Sequence, residues 1–439
     1  MNKYQSYKPS GVEWIGEIPN EWSTKRLIYS FKIQKGKIPS ELLDEPIVNG
    51  LPYLSMDVLR GNEPTEFSID KNIVEVKDGD IGILWDGSNS GEIIKINRNG
   101  ILSSTVSLLT IIDQGLNKEF GYYLLKLFEN DFKSNTTGMG IPHVNGNYVR
   151  ETKLIIPPIL EQLQIVQFLD EKTELIDKLI STKERKITLL KEQRTSLINE
   201  VVTKGLNPNV KMKDSGIEWI GEIPEHWLLI SLHKLLQTNR LDFQDGNHGG
   251  EYPNPEEFIK NGVPFIKPRD IQDGKVEWLD CDRLPFERTT KFRIGFSNND
   301  DVLLVNRGGS IGKVCYVTDY DNEYPYFIIN PQVTYLRGKN GLSSKYVFYI
   351  TKSDVFRCGV DLVLGHGSTF PFLGLSNMSD FKMVLPPFEE QNKIIEYLDS
   401  KTKEIDDLVQ LEQKKIDLLK EYRQSLISEV VTGKIKVTQ

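Results

Sequence analysis

The chain is written twice, and this limits its possible folds more than any other property. Ser10–Trp22 reads SGVEWIGEIPNEW and Ser215–Trp227 reads SGIEWIGEIPEHW, with ten of 13 positions identical at an offset of 205. Pro157–Thr203 matches Pro386–Thr432 at an offset of 229, with 26 of 47 positions identical. Agreement over two separated blocks identifies a tandem duplication. The stretches between the blocks have diverged, and their lengths differ by 24 residues. Two similar frames hold two different inserts, an arrangement that suits recognition of two different things with one geometry.

The longer repeated block reads as helix. Pro157-Pro158 and Pro386-Pro387 block helix before them, and Glu161 and Glu390 favour the positive end of the helix dipole. Helices are expected over about Leu160–Thr203 and Phe388–Thr432. Val166, Leu169, Thr173, Ile176, Ile180, Lys183, Ile187, Leu190, Arg194, Leu197 and Val201 recur with 3-4-3-4 spacing. Ile395 to Val430 repeat the pattern. Five heptads at period 3.5 define a coiled-coil seam rather than an ordinary surface helix. The two seams, equal in length and in their polar interruptions, are expected to pair antiparallel. That pairing would place Lys183 and Glu412 in neighbouring central layers.

The inserts read as mixed α/β with many short strands. Asp80–Trp85 and Asp301–Val305 are apolar runs, each followed by a Gly-rich bend, Asp86–Gly91 and Arg307–Gly312. Ile101–Ile112 and Tyr326–Leu336 supply further strand-like runs. Leu51–Val58 echoes Val263–Ile271, so the inserts are themselves diverged copies. Phe120–Phe128 and Tyr346–Ile350 look like short amphipathic helices, and the polar stretch Lys204–Asp214 suits a linker.

Composition excludes several classes. No run of 18 apolar residues exists, so no membrane span is expected, and the N-terminus shows no apolar signal region. Cys281, Cys315 and Cys358 are too few and too widely spaced for a disulfide framework or a cysteine-rich zinc site. They read as small buried hydrophobes in a reducing cytoplasm. The net charge of −8 is unlike the basic balance usual in nucleic-acid binders. It is uneven, however: Ser23–Lys153 carries 15 basic against 17 acidic residues, and Leu228–Lys382 carries 18 against 19. A near-neutral insert can still present a basic face.

Catalytic motifs are missing. Gly308–Val314 resembles a phosphate loop but is one residue short between its outer glycines, and Val314 stands where a hydroxyl is needed. It reads as a strand-to-strand bend. Asn330-Pro331-Gln332-Val333 lacks the second proline and the aromatic of an amino-methyltransferase motif. His143, His226, His233, His248 and His366 show no metal-ligand spacing. Glu184-Arg185-Lys186, which could pass for a nuclease fragment, lies on the polar face of the helix.

What remains is loop chemistry for binding. Lys267, Arg269, Arg307 and Lys313 lie near expected turns of the second insert, and arginine forks match guanine edges and phosphates. The first insert carries Ser88 and Asn89 in its bend, then Lys95 and Arg98, then His143, Asn145 and Asn147. Asparagine can read adenine edges. Each of these residues, taken alone, also fits an ordinary loop. Trp14, Trp22, Trp219 and Trp227 in the opening blocks fit either an anchor sealing each insert onto the helices or a partner-docking surface.

Taken together, the paired SGxEWIGEIPxxW blocks, the helix starts IPPILEQ (Ile156–Gln162) and LPPFEEQ (Leu385–Gln391), and the helix ends SLINEVVTKG (Ser196–Gly205) and SLISEVVTGK (Ser425–Lys434) resemble the specificity subunit of type I restriction–modification systems. The likeness spans nearly the whole chain, in the order recognition domain, helix, recognition domain, helix. It implies an α+β fold of two mixed α/β target-recognition domains joined by two long conserved helices forming an antiparallel coiled coil, a pseudo-twofold internal repeat. The implied boundaries are 1–158 and 215–387 for the recognition domains, 159–214 for the first helix with its linker, and 388–439 for the second helix. The resemblance further implies a non-catalytic cytoplasmic subunit binding double-stranded DNA, each recognition domain reading half of a bipartite site and the helices fixing the spacer. Two modification subunits and further restriction subunits would be its partners, holding the S-adenosylmethionine, ATP and magnesium. A specificity component of a related restriction system, or a coiled-coil protein-binding scaffold, is the alternative.

Overall fold

A computed structural model describes residues 3–437 apart from 139, 250–251, 273, 322, 365–371, 375–377 and 379; His366 therefore lies outside the described residues. The chain forms two compact units, Met1–Lys183 with Lys414–Gln439, and Glu184–Gln413. The long helices run over Ile159–Lys204 and Phe388–Val431. No helix among the described residues is long and apolar enough to cross a membrane.

In the first unit, Tyr7–Pro9 and Glu17–Pro19 form an antiparallel hairpin, so the opening block is a folded turn. Ser23–Arg26 pairs with Lys153–Ile156 and closes the insert at its neck. Within the insert, one sheet orders Phe31–Lys35, Val106–Ile111, Ile81–Leu84 and Ile93–Lys95, all antiparallel. A second sheet orders Phe67–Ser68, Leu51–Leu54, Gly100–Leu102 and Glu75–Val76, with its middle pair parallel.

The second unit repeats this joint for joint. Met212–Asp214 pairs with Glu222–Pro224, and Leu228–Ser231 pairs with Lys382–Leu385 at the neck. One sheet orders Leu241–Asp245, Val333–Gly338, Val302–Val305 and Val314–Tyr316; the other orders Asp282–Leu284, Val263–Ile266, Phe327–Ile329 and Phe296–Ser297, again with a parallel middle pair. The hairpin Ile271–Gln272 with Lys275–Val276 is an addition with no counterpart among the described residues of the first unit.

The two long strand-like runs each hold two strands. Ile101–Ile112 breaks at Ser103, and Tyr326–Leu336 breaks at Asn330, where the chain turns a corner from one sheet into the other. Apolar content alone cannot mark such a corner, because both strands are buried. The space beside it is tight: a Cβ on Gly36 or on its equivalent Gly246 would stand 2.0 Å from a backbone oxygen of the corner.

The repeated residues lock each insert to its helix. Gln162 is fully buried. Its amide donates to the Gly115 and Pro157 carbonyls at 2.7 and 2.8 Å and accepts from the Asn117 N–H at 2.8 Å. Gln391 repeats all three bonds, with Gly341, Pro386 and Ser343. Tyr123 donates to Asp170, and Tyr349 to Asp399, each at 2.6 Å. Alanine at Gln162 strands three backbone groups at about 1–3 kcal/mol for each one left unsatisfied and buried. We expect Gln162→Ala to destabilise the first unit by about 3 kcal/mol in urea denaturation. A loss under about 1 kcal/mol would mean that these bonds are replaced by water.

The seam is confirmed. Leu169, Thr173, Ile176, Ile187, Val201, Leu398, Thr402, Ile405, Ile416, Leu426 and Val430 are buried. In the second unit Lys186 pairs with Glu412 at 2.9 Å and Arg194 with Asp406 at 3.0 Å. Rising numbers meet falling ones, so the segments are antiparallel. In the first unit Arg423 makes the equivalent pair with Asp177 at 3.0 Å. Glu412 is buried on the seam as expected for a central polar position, and Lys186 supplies a charge there.

Candidate nucleic-acid interface

The repeated opening blocks turn out to be structural at one tryptophan and exposed at the other. Trp22 and Trp227 are both 0 % exposed, so the docking role suggested for them is corrected: neither has surface to offer a partner. Each indole N–H donates to the glutamate of the helix start, Trp22 to Glu161 at 2.9 Å and Trp227 to Glu390 at 3.0 Å. Burial and the Glu161 carboxylate push the neighbouring Tyr4 phenol far above its ordinary value. Trp14 and Trp219 remain 47 % and 40 % exposed, and Trp14 also stacks edge-on against Phe128 at 5.2 Å.

The helix ends close on the same indoles. Gly205 and Gly433 adopt left-handed φ values of +75° and +72°. A Cβ at Gly205 would meet Trp227 at 2.9 Å, and one at Gly433 would meet Pro19 at 2.5 Å and Trp22 at 3.1 Å. The order Lys204-Gly205 against Gly433-Lys434 goes with a difference in where the two helices end. The first helix runs to Lys204 and the second only to Val431, and in each the glycine follows where the cap must turn under the indole.

The Gly-rich bends are hairpin tips, as expected from sequence. Ile81–Leu84 pairs with Ile93–Lys95 around Asp86–Gly91, and Val302–Val305 pairs with Val314–Tyr316 around Arg307–Gly312. A third segment joins each tip through an isolated bridge, Asp86 with His143 in the first unit and Arg307 with Phe372 in the second. The backbone bonds beside the bridges are equivalent: Val144 N–H to the Trp85 carbonyl, and Leu373 N–H to the Asn306 carbonyl. One scaffold therefore presents different side chains at one place.

In the first unit, Asp86 accepts from His143 at 2.6 Å and pairs with Lys35 at 2.7 Å. Partial burial works to raise the Asp86 pKa, but the Lys35 and His143 bonds outweigh it and hold the carboxyl below its usual range. Ser88, Asn89 and Asn147 are exposed, and Asn145 caps the helix Gly146–Glu151 by accepting from the Tyr148 N–H. Ser88, Asn89 and His143 are thus brought to one edge. Lys95 and Arg98 are not. Lys95 stands opposite Ile81, at the far end of the strand pair from the bend, and is paired with Glu119; Arg98 pairs with Glu63.

In the second unit, the strand register places Asp245 where the first has Lys35, and Arg307 where it has Asp86. The signs of charge are exchanged. The Arg307 guanidinium lies over the Phe372 ring, 4.2 Å from its centroid. Lys267 and Arg269 both pair with Asp282, and Lys267 also sits over the Phe258 ring, so these two belong to a charge network of the fold. Lys313 lines a groove of about 580 Å³ together with Lys352, Arg357 and Asp361. Burial pushes the Lys352 ammonium below its ordinary pKa. Lys35, Asp245 and Phe372 are additions that sequence reading does not find, because their place at the tips depends on register. Among the described residues no cluster of three or more His, Cys, Asp or Glu could hold a metal ion.

Comparison with known proteins agrees with this architecture. The model of the "Type I restriction modification DNA specificity domain" family matches residues 19–189 and again 243–421. The type I restriction enzyme MjaVIII specificity subunit of Methanocaldococcus jannaschii is 31% identical over 425 residues, covering 96% of this chain and 94% of its own. The putative MjaX specificity subunit of the same organism is 25% identical, covering 96% of each. A chain solved in a study of complex assembly and conformational transition of the type I R-M system shares the fold, with a TM-score of 0.70 over 95% of this chain and 99% of its own at 16% identity. With both halves matched by one family model, and a relative aligned nearly end to end, the chain belongs to the DNA-specificity subunits of type I restriction–modification systems.

Proposed function

We propose that this chain is the non-catalytic reading subunit of its complex in the cytoplasm, each unit reading one half of a split double-stranded DNA site. The observation that supports this most is the shared scaffold with exchanged chemistry at its exposed tip, Lys35–Asp86–His143 in one unit and Asp245–Arg307–Phe372 in the other. The 46-residue first helix rises about 69 Å, roughly two duplex turns, which bounds the spacer it can set. The helices, with exposed Trp14 and Trp219, dock two modification subunits, and restriction subunits join these. S-adenosylmethionine, ATP and magnesium belong to those partners.

Co-expression with a modification subunit from the same locus, followed by sequencing of methylated adenines, is expected to give two short motifs separated by a constant gap. Methylation of one unbroken motif would overturn the assignment of one half to each unit. No methylation with any modification subunit of that locus would favour a protein-binding scaffold.

A further inference from the structure

The exchanged tip carries a more specific assignment, which rests on the reading of this chain as a DNA-specificity subunit. The geometry points to Arg307 as the side chain that reads a guanine in the half-site of the second unit, from the major groove, with Phe372 holding its plane.

Four observations converge. Arg307 is exposed at the hairpin tip and has no carboxylate partner among the described residues. Its guanidinium lies over the Phe372 ring, a contact that restrains where it sits, and its N–H fork is the group that pairs with guanine O6 and N7. Its root is rigid. Asn306, 1 % exposed, donates through its side chain to Thr334 Oγ1 at 2.7 Å and to the Pro331 carbonyl at 3.2 Å. The Leu373 N–H donates to the Asn306 carbonyl at 2.8 Å. Such a base keeps the fork ordered before binding, so little side-chain entropy is lost on contact.

The fourth observation is Gly309. Its φ is not left-handed, and a Cβ there would meet no described atom within 4 Å. Neither backbone conformation nor packing against the described residues calls for glycine. Close approach of something external does, and a duplex backbone beside the tip supplies it. The first unit has Ser88 at this place, and Asp86 where Arg307 stands. Asp86 is already bonded to Lys35 and His143, so the first unit has no guanine fork at its tip.

The test uses the complex assembled with its modification subunits and the motif mapped with the unaltered chain. Duplexes carry that motif or single base-pair changes in it, and affinity is measured across a salt series. Arg307→Lys keeps the charge and removes the fork. It should relax discrimination at one G·C pair of one half by about 10–100-fold, with the salt slope, the other positions and the other half unchanged. Arg307→Ala should do the same. Gly309→Val should weaken binding at least tenfold without moving the thermal midpoint. If Arg307→Ala weakens all duplexes equally and lowers the salt slope by about one, Arg307 contacts a phosphate and the assignment is wrong. Unchanged discrimination in both Arg307 variants, or unchanged affinity in Gly309→Val, also overturns it. Failure of the unaltered complex to methylate a split motif would instead refute the functional reading beneath it.

Discussion

Trp227→Ala is expected to destabilise the second unit by about 3–5 kcal/mol, the range for deleting a buried tryptophan. Trp227 has no exposed surface and belongs to the same buried cluster as Ile198, Val201, Val202, Ile220 and Ile223. Two further losses accompany the cavity. Glu390 loses the indole N–H and keeps the exposed His226 among the described residues, and the Gly205 cap loses the ring it turns under. Trp219→Ala is the control. At 40 % exposed it should cost under half as much and act on capture of the modification subunit instead. Urea denaturation of both variants reads the difference. Equal losses would mean that the two tryptophans share one role, and the distinction between anchor and docking residue would fall.

The same anchor shows why some of this architecture is legible in the sequence. Helix periodicity is local, so the seam from Val166 to Val201 is visible without knowing what covers it. The repeated Glu161 and Glu390, Gln162 and Gln391, and Asp170 and Asp399 are visible as repeats, but their reasons are not. Each bonds to an element at least 45 positions away, such as Gln162 to Asn117 or Glu161 to Trp22. Trp22 and Trp14 read alike in sequence, eight positions apart in one block, yet one is core and the other surface. The bends are legible from their glycines. The third segment that bridges each bend is not, because Asp86–His143 and Arg307–Phe372 are 57 and 65 positions apart and join by single bridges outside any strand. Lys95 and Arg98 follow a bend closely in sequence, but strand direction carries them to its far end.

Exchange of residues 232–381 for the corresponding insert of another family member is expected to replace one half of the methylated motif and to leave the other half and the gap unchanged. The neck makes this possible. Leu228–Ser231 and Lys382–Leu385 pair through backbone groups, which any sequence supplies. Gln391 likewise binds the Gly341 carbonyl and the Ser343 N–H rather than side chains. Side-chain demands come from Asp399, which accepts from the Tyr349 hydroxyl, as Asp170 accepts from Tyr123 in the first unit, and also from the Lys345 ammonium, and from Asn199, which bonds Asp354. A donor insert that keeps these partners should dock, and one without the tyrosine should be destabilised by about 1–3 kcal/mol from the lost bond to the Asp399 carboxylate. The functional effect is large. At about 1–3 kcal/mol for each changed base pair, a half-site differing at about three pairs is disfavoured by a hundredfold or more. Sequencing of methylated adenines reads both halves and the gap at once. On the proposed function the gap depends on the helices Ile159–Lys204 and Phe388–Val431, which the exchange does not touch. A change in both halves would break the assignment of one half to each unit, and a change in the gap alone would remove spacing from the helices and place it in the inserts.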